Sequence, residues 1–263
     1  MAMNVDFQPL PRKPANFIPI WLCAVCAILY AMSWHLSLSF GDLVSGIGDT
    51  GDYISQFFHP DFSLGHKYVW LMIETVCTAL WGTAIACIVA LVLSPLAAST
   101  LTPHPLIYRA TREVLNFMRA MPDMLLALML VSAIGLGPLP GAFALGIHTA
   151  GFLGKFYSEL LERVPRGRYE ALAATGAGFV QTTMIAGYPS ILREMAGYTF
   201  YIFDRNIRMA SVLGLVGAGG IGLELESTLG FFLYNKASAI IIIIFATLFV
   251  VDALSSTIRR RLT

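Results

Sequence analysis

Four polar residues stand close together in a stretch that is otherwise apolar: Asp204, Arg205, Asn206 and Arg208 within YIFDRNIRMASVLGLVGAGGIG. Ionisable side chains inside a long apolar run are costly, so they face a cavity or pair with one another. Asp204 and Arg208 have i, i+4 spacing on a helix, which predicts an ion pair. Arg205 and Asn206 point elsewhere around the same helix, and one pair cannot satisfy them all. The same stretch ends in Gly217-x-Gly219-x-x-Gly222, with Gly220 between them. That is the spacing of a dinucleotide-binding turn, which needs a strand before it, a helix after it and an acidic residue about 20 positions on. Here an apolar run precedes it, and AIIIIIF, which has no acid, follows. The glycines therefore read as a tight exit from a helix and a place where backbones approach closely. They are either a plain helix end or the lining of a gate or docking surface.

Other polar residues lie inside apolar runs. Glu74 stands beside Thr75 and Thr78, either as an interface residue or as a counter-ion for Arg205 or Arg208. Arg119 and Asp123 flank Pro122 at i, i+4 spacing and read as an ion pair across the proline break, or as a gate. His148 sits among Gly and Ala, as a satisfied polar residue or a path residue, and Lys155 reads as snorkelling to an interface. The cysteines Cys23, Cys26, Cys77 and Cys87 all lie in apolar runs. Cys23-x-x-Cys26 has no second Cys/His pair nearby, so small buried side chains are expected and no metal.

The elements that carry these residues follow from composition. Of 263 residues 57% are hydrophobic and 13% charged, against about 25% charged in soluble domains; the mean hydropathy is +0.71. A net charge of +1 offers no field for nucleic acid. A membrane helix needs roughly 20 mostly apolar residues. Such runs predict an all-α membrane protein with six transmembrane helices at about 17–38, 68–96, 114–134, 139–161, 191–216 and 237–254. The expected organisation is a tail at 1–16 and a single transmembrane domain over 17–263, with a loop at 162–190. The first run reads as a retained anchor, and the segment 40–67 as room for a short interfacial helix.

Loop charges give the orientation. Arg12 and Lys13, Arg109 and Arg112, Arg163, Arg166 and Arg168, and Arg259 to Arg261 fall on one side. Lys67 and Lys236, with Asp42, Asp49, Asp52, Asp61, Glu224 and Glu226, fall on the other. The positive-inside rule then places both termini in the cytosol.

The loop 162–190 is too ordered in composition for a linker. RYEALAATGAGF favours a helix with small residues on one face and then a Gly break, with a second helix from about Val180. Glu170-Ala171, Gly176 and Pro189 resemble the EAA loop of ABC importer permeases. Leu172, Ala186 and Tyr188 depart from that pattern. A narrower resemblance spans nearly the whole chain. FMRAMPDMLLALMLVSAIGLGPLPGAFALGIHTAG, NIRMASVLGLVGAGGIG and VDALSSTIRRRL resemble permeases of phosphonate-type ABC importers.

The resemblance implies a type I importer permease of the bacterial inner membrane, moving phosphonate, phosphite or a related phosphorus oxyanion by alternating access. It implies two ATP-binding cassette subunits, a periplasmic substrate-binding protein and a second permease copy, identical or homologous. Glu170, Ala171, Gly176 and Pro189 would couple to the ATPase. A guanidinium fork matches oxyanion oxygens. Arg208 is thus the first candidate to meet cargo, with Asn206 as a neutral donor and Arg205, Asp204, Glu74 and His148 along the path. Arg119, Asp123, Gly217, Gly219, Gly220 and Gly222 would form gates. The chain carries no GxxxxGK[ST] loop, so ATP and Mg are expected on the partners, with no cofactor here. Phosphate or another small anion is the alternative cargo. A secondary transporter would need inverted halves that the sequence does not display. An intramembrane enzyme would need a motif such as HExxH or GxSxG, absent here.

Overall fold

The computed structural model describes residues 17–35, 41, 51 and 54–262. The tail 1–16 with Arg12 and Lys13, most of 40–53 with Asp42, Asp49 and Asp52, and the side chains of Arg259 and Arg261 lie outside the described residues. The chain divides into two compact units, Met1–Ile54 and Ser55–Thr263. The first holds helix α1, Ile18–His35, apolar on every face and without a buried residue. Such a helix suits lipid rather than water.

The second unit is built from helices only, among the described residues. In order they are α2 (Gly65–Leu93), α3 (Pro105–Ala120), α4 (Asp123–Ile134), α5 (Pro138–Arg163), α6 (Arg166–Ala174), α7 (Phe179–Thr182), α8 (Tyr188–Leu213), α9 (Gly220–Gly230) and α10 (Tyr234–Leu262). A π-helical turn, Thr183–Gly187, joins α7 to α8, and a 3-10 turn, Gly214–Val216, follows α8.

Three helices are long and apolar enough to cross a membrane: α1, α2 and the Tyr234–Thr257 part of α10. The number rises to five if α3 with α4, and Phe179–Val216 with α9, each count as one bent span. The expectation of six spans is corrected in one place. The run at 114–134 is two helices meeting at 84°. The cause is Pro122, which cannot donate to the turn before it and holds its own backbone extended. The run at 139–161 lies within α5, whose glycines, threonine, serine and charged residues lower its hydropathy. Its position explains that composition: 16 of its 26 residues are buried, so it touches protein where the outer helices touch lipid.

Small residues let α5 sit there. A Cβ on Gly146 would come 2.8 Å from Ile85 Cγ2 of α2, and one on Gly154 would come 2.6 Å from Leu115 Cδ2 of α3. Helix packing this close replaces the hydrophobic effect with dispersion as the cohesive force within a bilayer. Two apolar clusters result. One gathers Leu153, Tyr157, Leu161, Tyr188 and Ile191 near the loop 162–190, and the other Met72, Leu145, Ile207, Leu213 and Ile240 near the glycine turn. Outward lie exposed Trp81, Phe245 and Phe249, an apolar surface too extensive for a protein in water.

Candidate functional site

The polar residues of α8 fan out in three directions. Asp204 is buried and Arg208 half-exposed, and Nη2 of Arg208 donates to Asp204 Oδ2 at 2.5 Å. The i, i+4 pair is therefore present. Its other side is a groove of about 660 Å³ lined by Ile242, Phe245, Phe249 and Asp252 of α10.

Asn206 turns into the bundle and is 1% exposed. Its Oδ1 accepts from Thr149 Oγ1 of α5 at 3.0 Å, and its Nδ2 donates to Thr83 Oγ1 of α2 at 2.9 Å. Thr83 Oγ1 in turn donates to Ala79 O at 2.7 Å. The side chain expected to offer cargo a neutral donor instead ties three helices together, because α2 and α5 close over it.

Arg205 takes the third direction. Its guanidinium lies 4.9 Å from the centre of the Phe152 ring, and its Nη2 stands 3.4 Å from His148 Nε2. His148 Nδ1 donates to the Met121 carbonyl at 2.8 Å. That bond leaves Nε2 as the acceptor facing Arg205. Met121 is the last residue before Pro122, so the carbonyl that the break withholds from a helix is satisfied by α5. Arg119 reaches the same aromatic ring, 5.7 Å from its centre.

Arg119 and Asp123 do not pair, which corrects the expected ion pair across the break. With the helix bent by 84°, they no longer share a face. Arg119 Nη2 donates to Asn116 Oδ1 at 2.6 Å, while Asp123 Oδ1 accepts from the backbone N–H of Met124 at 3.0 Å. Glu74 is likewise corrected as a counter-ion. Its Oε1 accepts from Gly220 N at 3.2 Å, and Thr75 Oγ1 accepts from Ile221 N at 2.9 Å. Two α2 side chains thus satisfy the first N–H groups of α9, where a carboxylate also meets the positive end of the helix dipole. Lys155 lies 4.0 Å from Glu159.

The glycines form the turn between α8 and α9. Gly217, Gly219 and Gly220 have φ of 89°, 77° and 69°, a left-handed region that side chains resist. Gly137 N donates to Gly217 O at 3.1 Å, which fastens the start of α5 to the turn. A Cβ on Gly222 would lie 2.8 Å from Gly214 Cα and would also strike the Ser211 carbonyl. At the opposite end of α5, Glu170 and Ala171 lie on α6, Gly176 follows it with φ of 84°, and Pro189 stands in the first turn of α8. Tyr169, Glu170, Phe179 and Thr182 edge a groove of about 220 Å³ with Thr100 and Leu101. Tyr169 Oη donates to Leu161 O at 2.9 Å, and burial pushes its phenol up to about 12.

Sequence reasoning missed Phe152, Asn116, Thr83 and Thr149. The threonines had a usable signal as hydroxyls inside apolar helices. Phe152 had none, since an aromatic residue in an apolar run is ordinary.

Comparison with known proteins bears on this arrangement. Residues 82–263 match the family model "Binding-protein-dependent transport system inner membrane component". The chain is 34% identical over 272 residues to the phosphite transport system permease protein PtxC of Stutzerimonas stutzeri, covering 99% of each. It is 34% identical over 228 residues to the phosphate-import permease protein PhnE of Mycolicibacterium smegmatis, covering 87% of this chain and 43% of that one. The fold matches a solved inward-facing structure of the MetNI methionine ABC transporter, with TM-score 0.66 at 17% identity over 77% of this chain and 99% of that one. The long apolar helices, the polar groups sheltered among them and the family match agree, and the chain is a multi-pass membrane protein that belongs to the binding-protein-dependent transport system inner membrane component family.

Proposed function

We propose that this chain is the permease subunit of an ABC importer that carries phosphite, phosphonate or a related phosphorus oxyanion across the bacterial inner membrane. The observation that carries this reading is the end-to-end similarity to a phosphite transport permease, over 99% of both chains. In the proposed arrangement both termini and the loop 162–190 are cytosolic. The α6 helix with Glu170 and Ala171, turned by Gly176 and leading through α7 to Pro189, docks on an ATPase subunit. Two such ATPases bind and hydrolyse ATP with Mg, and a periplasmic binding protein delivers cargo to the glycine-turn end. A second permease copy completes the path, most simply as a homodimer about a two-fold axis.

The mechanism is alternating access. Closure of the ATPase pair pushes on α6. The close glycine contacts of α5 with α2 and α3 pass the force on as rigid-body motion, because packed interiors shift between discrete arrangements rather than deform. Phosphate is the second reading for cargo, favoured by the equal 34% identity to a phosphate-import permease. Uptake into proteoliposomes holding permease, ATPase and binding protein decides between them. Accumulation of phosphite or a phosphonate that depends on ATP and on the binding protein is expected. A tagged chain that purifies without an ATPase subunit and still transports would remove the importer reading.

A further inference from the structure

Two guanidinium groups converge on one ring at the elbow of the bundle. Arg119, from the end of α3, and Arg205, from α8, stand 5.7 and 4.9 Å from the centre of Phe152. Their charges are thus within about 11 Å of each other inside a membrane protein, where like charges repel far more than in water. Neither is in a salt bridge among the described residues. The acids adjacent in sequence do not reach these two cations: Asp204 Oδ2 accepts from Arg208 while its Oδ1 is buried without a partner among the described residues, and Asp123 accepts from the Met124 N–H. Among the described residues Arg119 Nε is buried without an acceptor, and Arg205 has only the His148 Nε2 lone pair, at 3.4 Å. His148 itself is 7% exposed and anchored through Nδ1 to Met121 O, so it holds Arg205 in place without neutralising it.

His148 lies 10 residues into α5, about 15 Å from the helix start, and Arg205 lies 8 residues before the end of α8, about 12 Å away. Both positions are remote from the ends of their helices. Two cations set among packed helices without a carboxylate partner call for an anion. Arg208, by contrast, is neutralised by Asp204 and has Asp252 across its groove.

We propose that Arg119 and Arg205, brought together at Phe152 and braced by His148, form a transit site for a small tetrahedral oxyanion. The proposal rests on the importer reading above and moves the cargo contact from Arg208 to Arg205 and Arg119. Guanidinium forks meet the anion's oxygens, and the ring supplies an apolar wall that the cations already favour. The cation–ring contacts are weaker than charge-assisted hydrogen bonds, so they give way when the anion arrives and return when it leaves. That exchange suits a site that must release what it binds.

The test uses the complete transporter with its ATPase and binding protein in proteoliposomes, and radiolabelled phosphite and phosphate as probes. Arg119→Ala and Arg205→Ala are each expected to reduce uptake at least about tenfold, the size of a lost charge-assisted contact. Stimulation of ATP hydrolysis by the loaded binding protein is expected to persist. Arg205→Lys and Arg119→Lys should recover part of the uptake, since charge remains while the fork is lost. Uptake within about twofold of wild type in both alanine variants would overturn the site. So would equal loss of uptake and ATPase stimulation in alanine and lysine variants that assemble normally, for that is the mark of a structural role. Should an alanine variant fail to assemble, the lysine variant decides alone: wild-type apparent affinity for both probes overturns the site, and a raised KM with stimulated ATPase supports it. A wild-type transporter that moves neither probe defeats the importer reading itself, a result visible before any variant is made.

Discussion

Asn206→Ala separates a structural amide from a cargo-binding one. The amide lies 1% exposed between Thr149 and Thr83, with bonds of 3.0 and 2.9 Å. Interhelical hydrogen bonds within a membrane protein average about 0.6 kcal/mol, because the separated helices find other partners. Thr149 can swing its hydroxyl back to its own helix, and Thr83 keeps its bond to Ala79 O. Two such bonds and a small residual void of about 1 kcal/mol give a loss of about 2 kcal/mol. For a unit of about 200 residues this lowers the melting temperature by roughly 4–8 °C. The assay is thermal unfolding of the purified transporter in detergent, beside the KM for uptake of phosphite. A lower melting temperature with unchanged KM is expected in the assembled fraction. Combining Asn206→Ala with Thr149→Val should be less than additive by about 0.6 kcal/mol. An unchanged melting temperature with KM raised tenfold would refute the reasoning and return Asn206 to the path.

The glycine turn gives a second prediction: Gly222→Ala should destabilise the bundle by more than about 2 kcal/mol, since its Cβ meets backbone that cannot rotate away, and thermal unfolding measures it. Glu74→Gln should be tolerated to within about 1 kcal/mol, because its amide oxygen can still accept from Gly220 N, whereas Glu74→Ala should cost more; comparison of the two melting curves checks it. At the loop, Glu170→Ala, or a bulky residue at Gly176, is expected to uncouple ATP hydrolysis from uptake, and unchanged coupling would place the docking surface elsewhere. Tyr169, with a phenol raised from 10.0 to about 12, contributes stability that is complete below pH 10 and lost as pH rises towards 12. Tyr169→Phe should flatten that alkaline loss in a pH series of unfolding measurements.

What the sequence disclosed depended on how local each feature was. The Asp204–Arg208 pair needs only one turn of one helix, so i, i+4 spacing was enough. The helix–glycine–helix pattern of the loop was legible for the same reason, since Gly176 adopts a left-handed φ of 84° directly after α6. The partners of Glu74 and Asn206 were not legible. Glu74 meets Gly220 across 146 residues, and Asn206 meets Thr83 across 123. Nothing in a one-dimensional pattern says which face of α8 the second and fifth helices cover. Charge alone suggested Arg205 or Arg208 as partners for Glu74, yet backbone N–H groups at a helix start took precedence.

The proline break shows the same limit from the other side. Pro122 was visible as a break, and from a break alone two arrangements follow: charges on either side that still pair, or charges that part. The angle decides. A shallow kink keeps i and i+4 on one face, whereas a bend of 84° leaves Asp123 bonded to the Met124 N–H of its own first turn and sends Arg119 towards α5. There Arg119 meets Arg205, which comes from a segment more than 80 residues away. Arg205 and Arg208 sit about one turn apart on the same helix and look equivalent in sequence. They differ only in what surrounds them. Arg208 has Asp204 beside it, and Arg205 has an aromatic ring, an imidazole nitrogen and a second cation. An anion lowers the energy of the second group and gains little from the first. In the proposed transit site, an oxyanion crossing the bundle is therefore drawn to the arginine pair at Phe152, and neutralised Arg208 leaves it free to go there.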